Sequence, residues 1–146
     1  MLKTINKKLT YDDFKEGYTG AYTRTITSAE NEQFGKLVGD FNPVHFDEER
    51  MSKSIFGKRV TNRFFTESAI GSALVNMFTS HQTLVIALKK DIMLTAPVFI
   101  GDTITATVIV TKRLPDKKRL ICDCKVRKQD GTLVVDGEFL VKILEI

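Results

Sequence analysis

The second half of the chain alternates with a period that only a sheet satisfies. Ile104, Ala106, Val108 and Val110 alternate with Thr103, Thr105 and Thr107. Leu120, Cys122, Cys124 and Val126 flank Asp123 and Lys125, and Leu133, Val135, Gly137, Phe139 and Val141 repeat the pattern. Successive strand residues point to opposite faces, so each run offers one apolar face and one polar face. Asp130-Gly131 marks a hairpin between the last two runs, and Leu114-Pro115-Asp116-Lys117 marks the turn before them. A further β-reading run, Leu84 to Met93, is interrupted by Thr95-Ala96-Pro97; a proline there predicts a bulge or an edge.

Such a sheet must bury its apolar face against another element. From about Thr61 to Phe78 the chain reads as one long helix. Its apolar residues Phe64, Phe65, Ala69, Ile70, Ala73, Leu74, Met77 and Phe78 occupy more than a narrow stripe, as a sheet-wrapped helix requires. Upstream, Ala21 to Ile26 reads as a strand. Thr27 and Glu30 fit a capping box, and Phe34, Leu37 and Val38 form the apolar stripe of a helix that stops at Gly39. The expected class is α+β, a long helix packed on an antiparallel sheet. It spans residues 1–146 as a single domain, with residues 1–10 a loose N-terminus. An open sheet leaves an edge or face for a partner, so a homodimer or higher homo-oligomer is expected.

Composition excludes several classes. A membrane span needs roughly 18 consecutive apolar residues, and no apolar run here approaches that length. The N-terminal segment Met1 to Thr10 holds no apolar signal core. No membrane association and a cytoplasmic location are expected. The net charge of +4 suits an anionic ligand, but no aromatic-basic motif for nucleic acid is present. Cys122 and Cys124 share one strand face at a spacing unsuited to a disulfide, with no cluster of zinc ligands around them. They read as core residues, and no metal is expected.

Between the two predicted helices lies Gly39-Asp40-Phe41-Asn42-Pro43-Val44-His45-Phe46-Asp47. Proline fixes its own φ and pushes the preceding residue out of the helical region. Asp40 and His45 are therefore expected on a tight, non-helical turn. Singly, each has a plain reading, Asp40 as a turn cap and His45 as an interior histidine. Together they form a candidate proton-transfer pair. Asp47 is expected to cap a short helix through Arg50 that Phe56-Gly57 ends.

That nine-residue run resembles the G-D-x-N-P-x-H-x-D motif of the MaoC-like (R)-specific enoyl-CoA hydratases and 3-hydroxyacyl dehydratases. Phe56 to Leu74 resembles that family's approach to its central helix, and Ala96-Pro97-Val98-Phe99-Ile100-Gly101-Asp102-Thr103 its A-P-V-x-x-G-D segment. The resemblance extends from about Phe14 to Lys142. It implies a hot-dog fold, a long central helix wrapped by an antiparallel sheet. It also implies reversible hydration of trans-2-enoyl thioesters to (R)-3-hydroxyacyl thioesters in fatty-acid metabolism, with Asp40 and His45 holding the reacting water. Asn42 would orient the loop or the substrate. No cofactor is implied; the substrate is a thioester of CoA or acyl carrier protein. The family opens its central helix with an H-G-M-type sequence whose glycine N–H serves the thioester oxygen. This chain carries Asn62-Arg63-Phe64 there, so Arg63 and Phe64 are the corresponding substrate-binding candidates.

Two other readings follow from the same residues. Arg63 in place of glycine motivates a non-catalytic acyl-thioester binder. A hot-dog thioesterase is the other, distinguished by release of free thiol. Elsewhere, Ser68 and Ser72 read as packing residues and His81 as a loop residue. Asp102 reads as a strand start, and Lys89 and Lys90 as a solvated face or a basic rim for CoA phosphates.

Overall fold

A computed structural model describes residues 6–146. Its strands are β1 (Thr19–Thr25), β2 (Thr83–Leu94), β3 (Thr103–Leu114), β4 (Arg119–Lys128) and β5 (Leu133–Glu145). Its helices are α1 (Ser28–Val38), α2 (Pro43–Phe46), α3 (Glu48–Ser52) and α4 (Arg63–Phe78), with short 3₁₀ turns at Tyr11–Asp13 and Pro115–Lys117. The sheet is antiparallel throughout, in the order β1-β3-β4-β5-β2, which leaves β1 and β2 as edges.

The predicted alternation becomes the core. Ile104, Ala106, Val108 and Val110 of β3 are buried, as are Leu120, Cys122, Cys124 and Val126 of β4. These faces close on α4, which contacts β1, β2, β3 and β4 and buries Phe65, Ala69, Ile70, Ala73, Leu74, Met77 and Phe78. Burying one such large aliphatic or aromatic side chain contributes roughly 1.5–3 kcal/mol, so α4 and the sheet hold each other. Phe14, Tyr18 and Phe78 stack into one end of this core. Burial pushes the Cys122 thiol up to about 12 and raises that of Cys124 as well, so both act as apolar core groups.

Four expectations need correction. The stripe assigned to α1 turns inward only at Phe34, which packs against the core; Leu37 is 83% and Val38 54% exposed, and the fully buried residues are Asn31 and Gly35. The short helix α3 ends at Ser52, before Phe56-Gly57. The N-terminal segment is tied down from Lys7 onward. The Lys7 carbonyl accepts from the His81 N–H, the Leu9 carbonyl accepts from Ser80 Oγ, and Leu9 packs against the core. Residues 1–5 of the expected loose terminus lie outside the described residues. The fourth correction concerns the Asn42-Pro43 turn. Proline at the first position of a helix loses only a donor that would go unused, so Pro43 starts a helical turn here instead of preventing one.

Among the described residues, no helix is long and apolar enough to cross a membrane.

Candidate active site

The site grows out of the end of α1. The expected capping box starts that helix, with the Glu30 N–H donating to Thr27 Oγ1 at 3.2 Å and the Thr27 N–H to Glu30 Oε2 at 3.4 Å. Gly39 ends it with a φ of 77°. That is a left-handed conformation natural to glycine. The Asp40 N–H then folds back to the Gly35 carbonyl at 2.9 Å. Gly35 permits this closeness, since a Cβ there would lie 2.6 Å from Phe46 Cζ and 2.8 Å from the Asp40 carbonyl oxygen.

Asn42 caps the next turn, its Oδ1 accepting from the Val44 N–H at 3.2 Å. A side-chain oxygen in this position satisfies one of the helix's free N–H groups. That turn is α2, and it carries His45 inward to 8% exposure. Asp47 caps α3 in the same manner, accepting from the Arg50 N–H at 2.9 Å. Three successive caps thus set the backbone on which Asp40 and His45 stand.

The two side chains meet. His45 Nε2 lies 3.8 Å from Asp40 Oδ2. On the other side of the ring, Nδ1 lies 2.7 Å from the Val60 carbonyl oxygen. A carbonyl only accepts, so Nδ1 carries the hydrogen, and Nε2 is the ring nitrogen turned towards Asp40. The Asp40 carboxylate takes one hydrogen bond on each oxygen: Asn62 Nδ2 donates to Oδ2 at 2.8 Å and the Asn42 N–H to Oδ1 at 3.2 Å.

Two asparagines hold this pair, and neither stands out as a site residue in the sequence. Asn62 caps α4 with Oδ1, accepting from the Phe64 N–H at 3.0 Å, while its amide donates to Asp40. Asn31 is fully buried on α1; its Nδ2 donates to the His45 carbonyl at 3.1 Å and its Oδ1 accepts from the Asn62 N–H at 3.0 Å. An Asn directly before an apolar helical run is an N-cap signal, so Asn62 is detectable. Asn31 sits mid-helix among polar residues, where nothing distinguishes it.

The five sequence-predicted site residues share one cavity of about 290 Å³. Asp40, Asn42, His45, Arg63 and Phe64 line it together with Val44, Phe56, Val60 and Asn62. Arg63 is the first residue of α4, so its backbone N–H is one of the helix's orphan donors. Its guanidinium makes one long hydrogen bond, 3.5 Å to the Leu94 carbonyl. Phe64 is 65% exposed. It also borders a second cavity of about 420 Å³, lined by Gly71, Ala87, Leu88 and Phe139 among others. Phe65, in contrast, stacks on Phe34 beneath the Arg24 guanidinium.

The remaining candidates fall outside this cavity. Ser68 and Ser72 donate back to the Phe65 and Ser68 carbonyls, as packing residues do. Lys90 pairs with Glu67. Asp102 does more than start a strand. It is buried, and it accepts from Gln129 Nε2 and Lys128 Nζ at 2.8 Å each and from the Phe99 N–H at 2.9 Å. Burial pulls its carboxyl up, but those hydrogen bonds outweigh burial and hold it below the ordinary value. The turn so fixed abuts the site, since the Val98 carbonyl accepts from the Thr61 N–H at 2.7 Å. No metal-binding group of three or more His, Cys, Asp or Glu occurs among the described residues.

A family model described as MaoC like domain matches residues 12–132. The chain belongs to the MaoC-like domain family. A 3-hydroxybutyryl-CoA dehydratase of Methylorubrum extorquens is 30% identical over 137 residues, 92% of this chain and 84% of that protein. An (R)-specific enoyl-CoA hydratase of Rhodospirillum rubrum is 30% identical over 91% of this chain and 90% of its own. An unliganded (R)-hydratase from Pseudomonas aeruginosa superposes with a TM-score of 0.82 at 28% identity, covering 93% of this chain and 88% of that one. The MaoC-like fold, a central helix on a five-stranded antiparallel sheet, is therefore shared by both ends of the comparison.

Proposed function

We propose that this MaoC-like protein is a hydro-lyase that reversibly hydrates trans-2-enoyl thioesters to (R)-3-hydroxyacyl thioesters. The observation that carries the reading is the Asp40–His45 pair, with Nε2 and a carboxylate oxygen converging 3.8 Å apart at the wall of one cavity. The names of the relatives support the same reaction class.

At that separation one water can lie about 2.8 Å from both groups and donate one hydrogen to each. Its oxygen then attacks the β-carbon. His45 Nε2 takes the proton that leaves the water and returns it to the α-carbon, where the electron pair of the double bond forms the new C–H bond. Asp40 accepts a hydrogen bond from the water's other hydrogen, which stays on the oxygen as the product hydroxyl, and its carboxylate stabilises the transient imidazolium. Water and proton come from one side, so both add to one face of the double bond. In this reading the thioester oxygen, which gains charge as the enolate forms, lies at the α4 N-terminus. The Arg63 N–H and guanidinium supply positive charge there. Asn42 acts through the backbone it caps, and the acyl chain extends past Phe64 towards the second cavity.

The functional unit is a homodimer in this account. Strand β2 is an edge, with Leu84, Ile86, Leu88 and Met93 exposed along it. A twofold axis pairing β2 with its copy covers these groups and satisfies the unpaired backbone. A cytoplasmic location agrees with the absence of a long apolar helix among the described residues.

The test is turnover of crotonyl-CoA by purified protein, with the conjugated enoyl-thioester absorbance and free thiol followed together. Loss of absorbance without thiol, yielding the (R)-3-hydroxy product, is expected. Thiol release would make the protein a thioesterase. Acyl-CoA binding without turnover, across short and long chains and both carriers, would reduce it to a binder.

A further inference from the structure

The end of the sheet opposite the active site carries an arrangement of cations that the hydratase reading does not use. Strand β3 starts at Thr103, beside the Asp102 turn that abuts the active site, and ends at Leu114. Its contour, roughly 36 Å for a strand of this length, leads to the other end of the sheet. There the β3–β4 connection forms a cavity of about 370 Å³, lined by Arg113, Leu114, Pro115, Asp116, Lys117 and Arg119.

Arg119 is the residue that needs explaining. It precedes the buried Leu120, and Lys142 sits between buried Val141 and Ile143, so both project from the outer face of the sheet. They are paired directly across β4 and β5. Like charges facing each other across a ladder destabilise it unless an anion joins them. Two of the nearby carboxylates are engaged elsewhere, Asp12 with Arg113 at 3.1 Å and Glu145 with Lys118 at 2.8 Å; Asp116 lines the cavity but is paired with neither Arg119 nor Lys117. Lys142 Nζ donates to the Lys117 carbonyl. Among the described residues, Arg119 and Lys117 have no carboxylate partner.

The buried nitrogens point the same way. Among the described residues, three arginines have a buried Nε without a hydrogen-bond acceptor: Arg24, Arg113 and Arg119. Two have an evident cause, for Arg24 lies over the Phe65 ring at 4.5 Å and Arg113 over the Tyr11 ring at 4.6 Å. A guanidinium is attracted to a ring face in this way. Arg119 has no such ring among the described residues. A buried charged donor with no acceptor is costly, and its guanidinium borders a cavity of ligand size.

We propose that this cavity is an anion site for a phosphorylated small molecule, gripped by the Arg119 guanidinium with Lys117 and Lys142. A guanidinium fork matches phosphate geometry, and an anion with two or more charges answers the paired cations. Leu114 and Pro115 offer an apolar wall to whatever carries the phosphate. The site is independent of the hydratase reading, and its ligand binds whether or not the protein hydrates enoyl thioesters.

The test is a titration of the full-length, isotope-labelled protein with inorganic pyrophosphate at constant ionic strength. It follows the backbone N–H signals of residues 113–119 and the Arg119 Nε–H signal by NMR. Saturable shifts confined to these signals are expected, with affinity weakened about tenfold in Arg119→Gln. Lys142→Gln, at an outward-facing position, provides the same comparison should Arg119→Gln fail to fold. Linear shifts that sodium chloride reproduces, or saturable shifts unchanged in both variants, would overturn the site. A competition with coenzyme A separates the sources. Displacement of pyrophosphate assigns the site to the coenzyme's diphosphate, and no displacement assigns it to a free phosphorylated ligand; both keep the anion site.

Discussion

Helices α1 and α4 flank the same turn but are held by opposite means. Helix α4 is apolar around most of its surface and sinks seven apolar side chains into the sheet. Helix α1 fully buries only Asn31 and Gly35, lays one apolar side chain, Phe34, against the core, and leaves Leu37 and Val38 in solvent. One helix is positioned by packing, which is non-directional and tolerant. The other, with the single apolar contact of Phe34, is positioned chiefly by hydrogen bonds and one close approach, which are directional and unforgiving. The difference tracks their tasks: α4 supports the domain, and α1 fixes the geometry of Asp40 and His45.

This contrast can be broken by substitution. The largest effect belongs to the pair itself. Asp40→Asn and His45→Ala are each expected to lower kcat/KM for an enoyl thioester by about 10³-fold, with circular dichroism and urea midpoint near wild type. Wild-type rates in either would remove it from the mechanism. Next is Ile70→Ala, in the middle of α4 and fully buried. It should cost roughly 3–4 kcal/mol in urea unfolding while the folded fraction keeps its activity. Asn31→Ala leaves the His45 carbonyl and the Asn62 N–H without partners. A smaller stability loss, about 2 kcal/mol, should come with a disproportionate loss of kcat. If Ile70→Ala and Asn31→Ala damaged activity and stability in the same ratio, the distinction between the two helices would fail.

Two smaller effects sharpen the same line. The Asp102 carboxyl is held below its ordinary value of 3.8 by its hydrogen bonds from Lys128, Gln129 and the Phe99 N–H, against the opposing effect of burial. A carboxyl lowered on folding contributes stability above its unfolded value, and that contribution is lost as pH falls through the folded one. The stability gap between wild type and Asp102→Asn should therefore be level from neutral pH to about pH 4.5 and shrink below it. A gap that widened with acid would contradict the sign. Smallest of all is Leu37→Ser, because this side chain is exposed despite its apolar spacing. Urea unfolding should register a change of about 0.5 kcal/mol or less, as for other surface substitutions.

Leu37 also marks where the sequence misleads. Its spacing with Phe34 and Val38 has the same helical period that reads α4 correctly. Period reports amphipathicity, and it cannot tell which face a helix turns inward when the buried face is polar. The strands were legible because the alternate positions Ile104 to Val110 on β3 and Leu120 to Val126 on β4 answer to one demand, burial against α4. The cap at Thr27 and the stop at Gly39 were legible because each is a local device. The Asp40–His45 pair was legible from one contiguous run, Gly39 to Asp47. Its supports were not: Asn31, Asn62 and the Val60 carbonyl come from separate segments, and only tertiary structure brings them to one ring and one carboxylate. The expectation of a non-helical turn carrying His45 failed because proline is forbidden inside a helix but welcome at its first position.

The most direct test of the central claim, that Asp40 and His45 deliver the elements of one water to one face, is hydration of crotonyl-CoA in deuterated water. The account predicts an (R)-3-hydroxybutyryl product whose α-deuterium lies on the same face as the hydroxyl, formed without free thiol. Addition of deuterium from the opposite face, or to both faces equally, would contradict it.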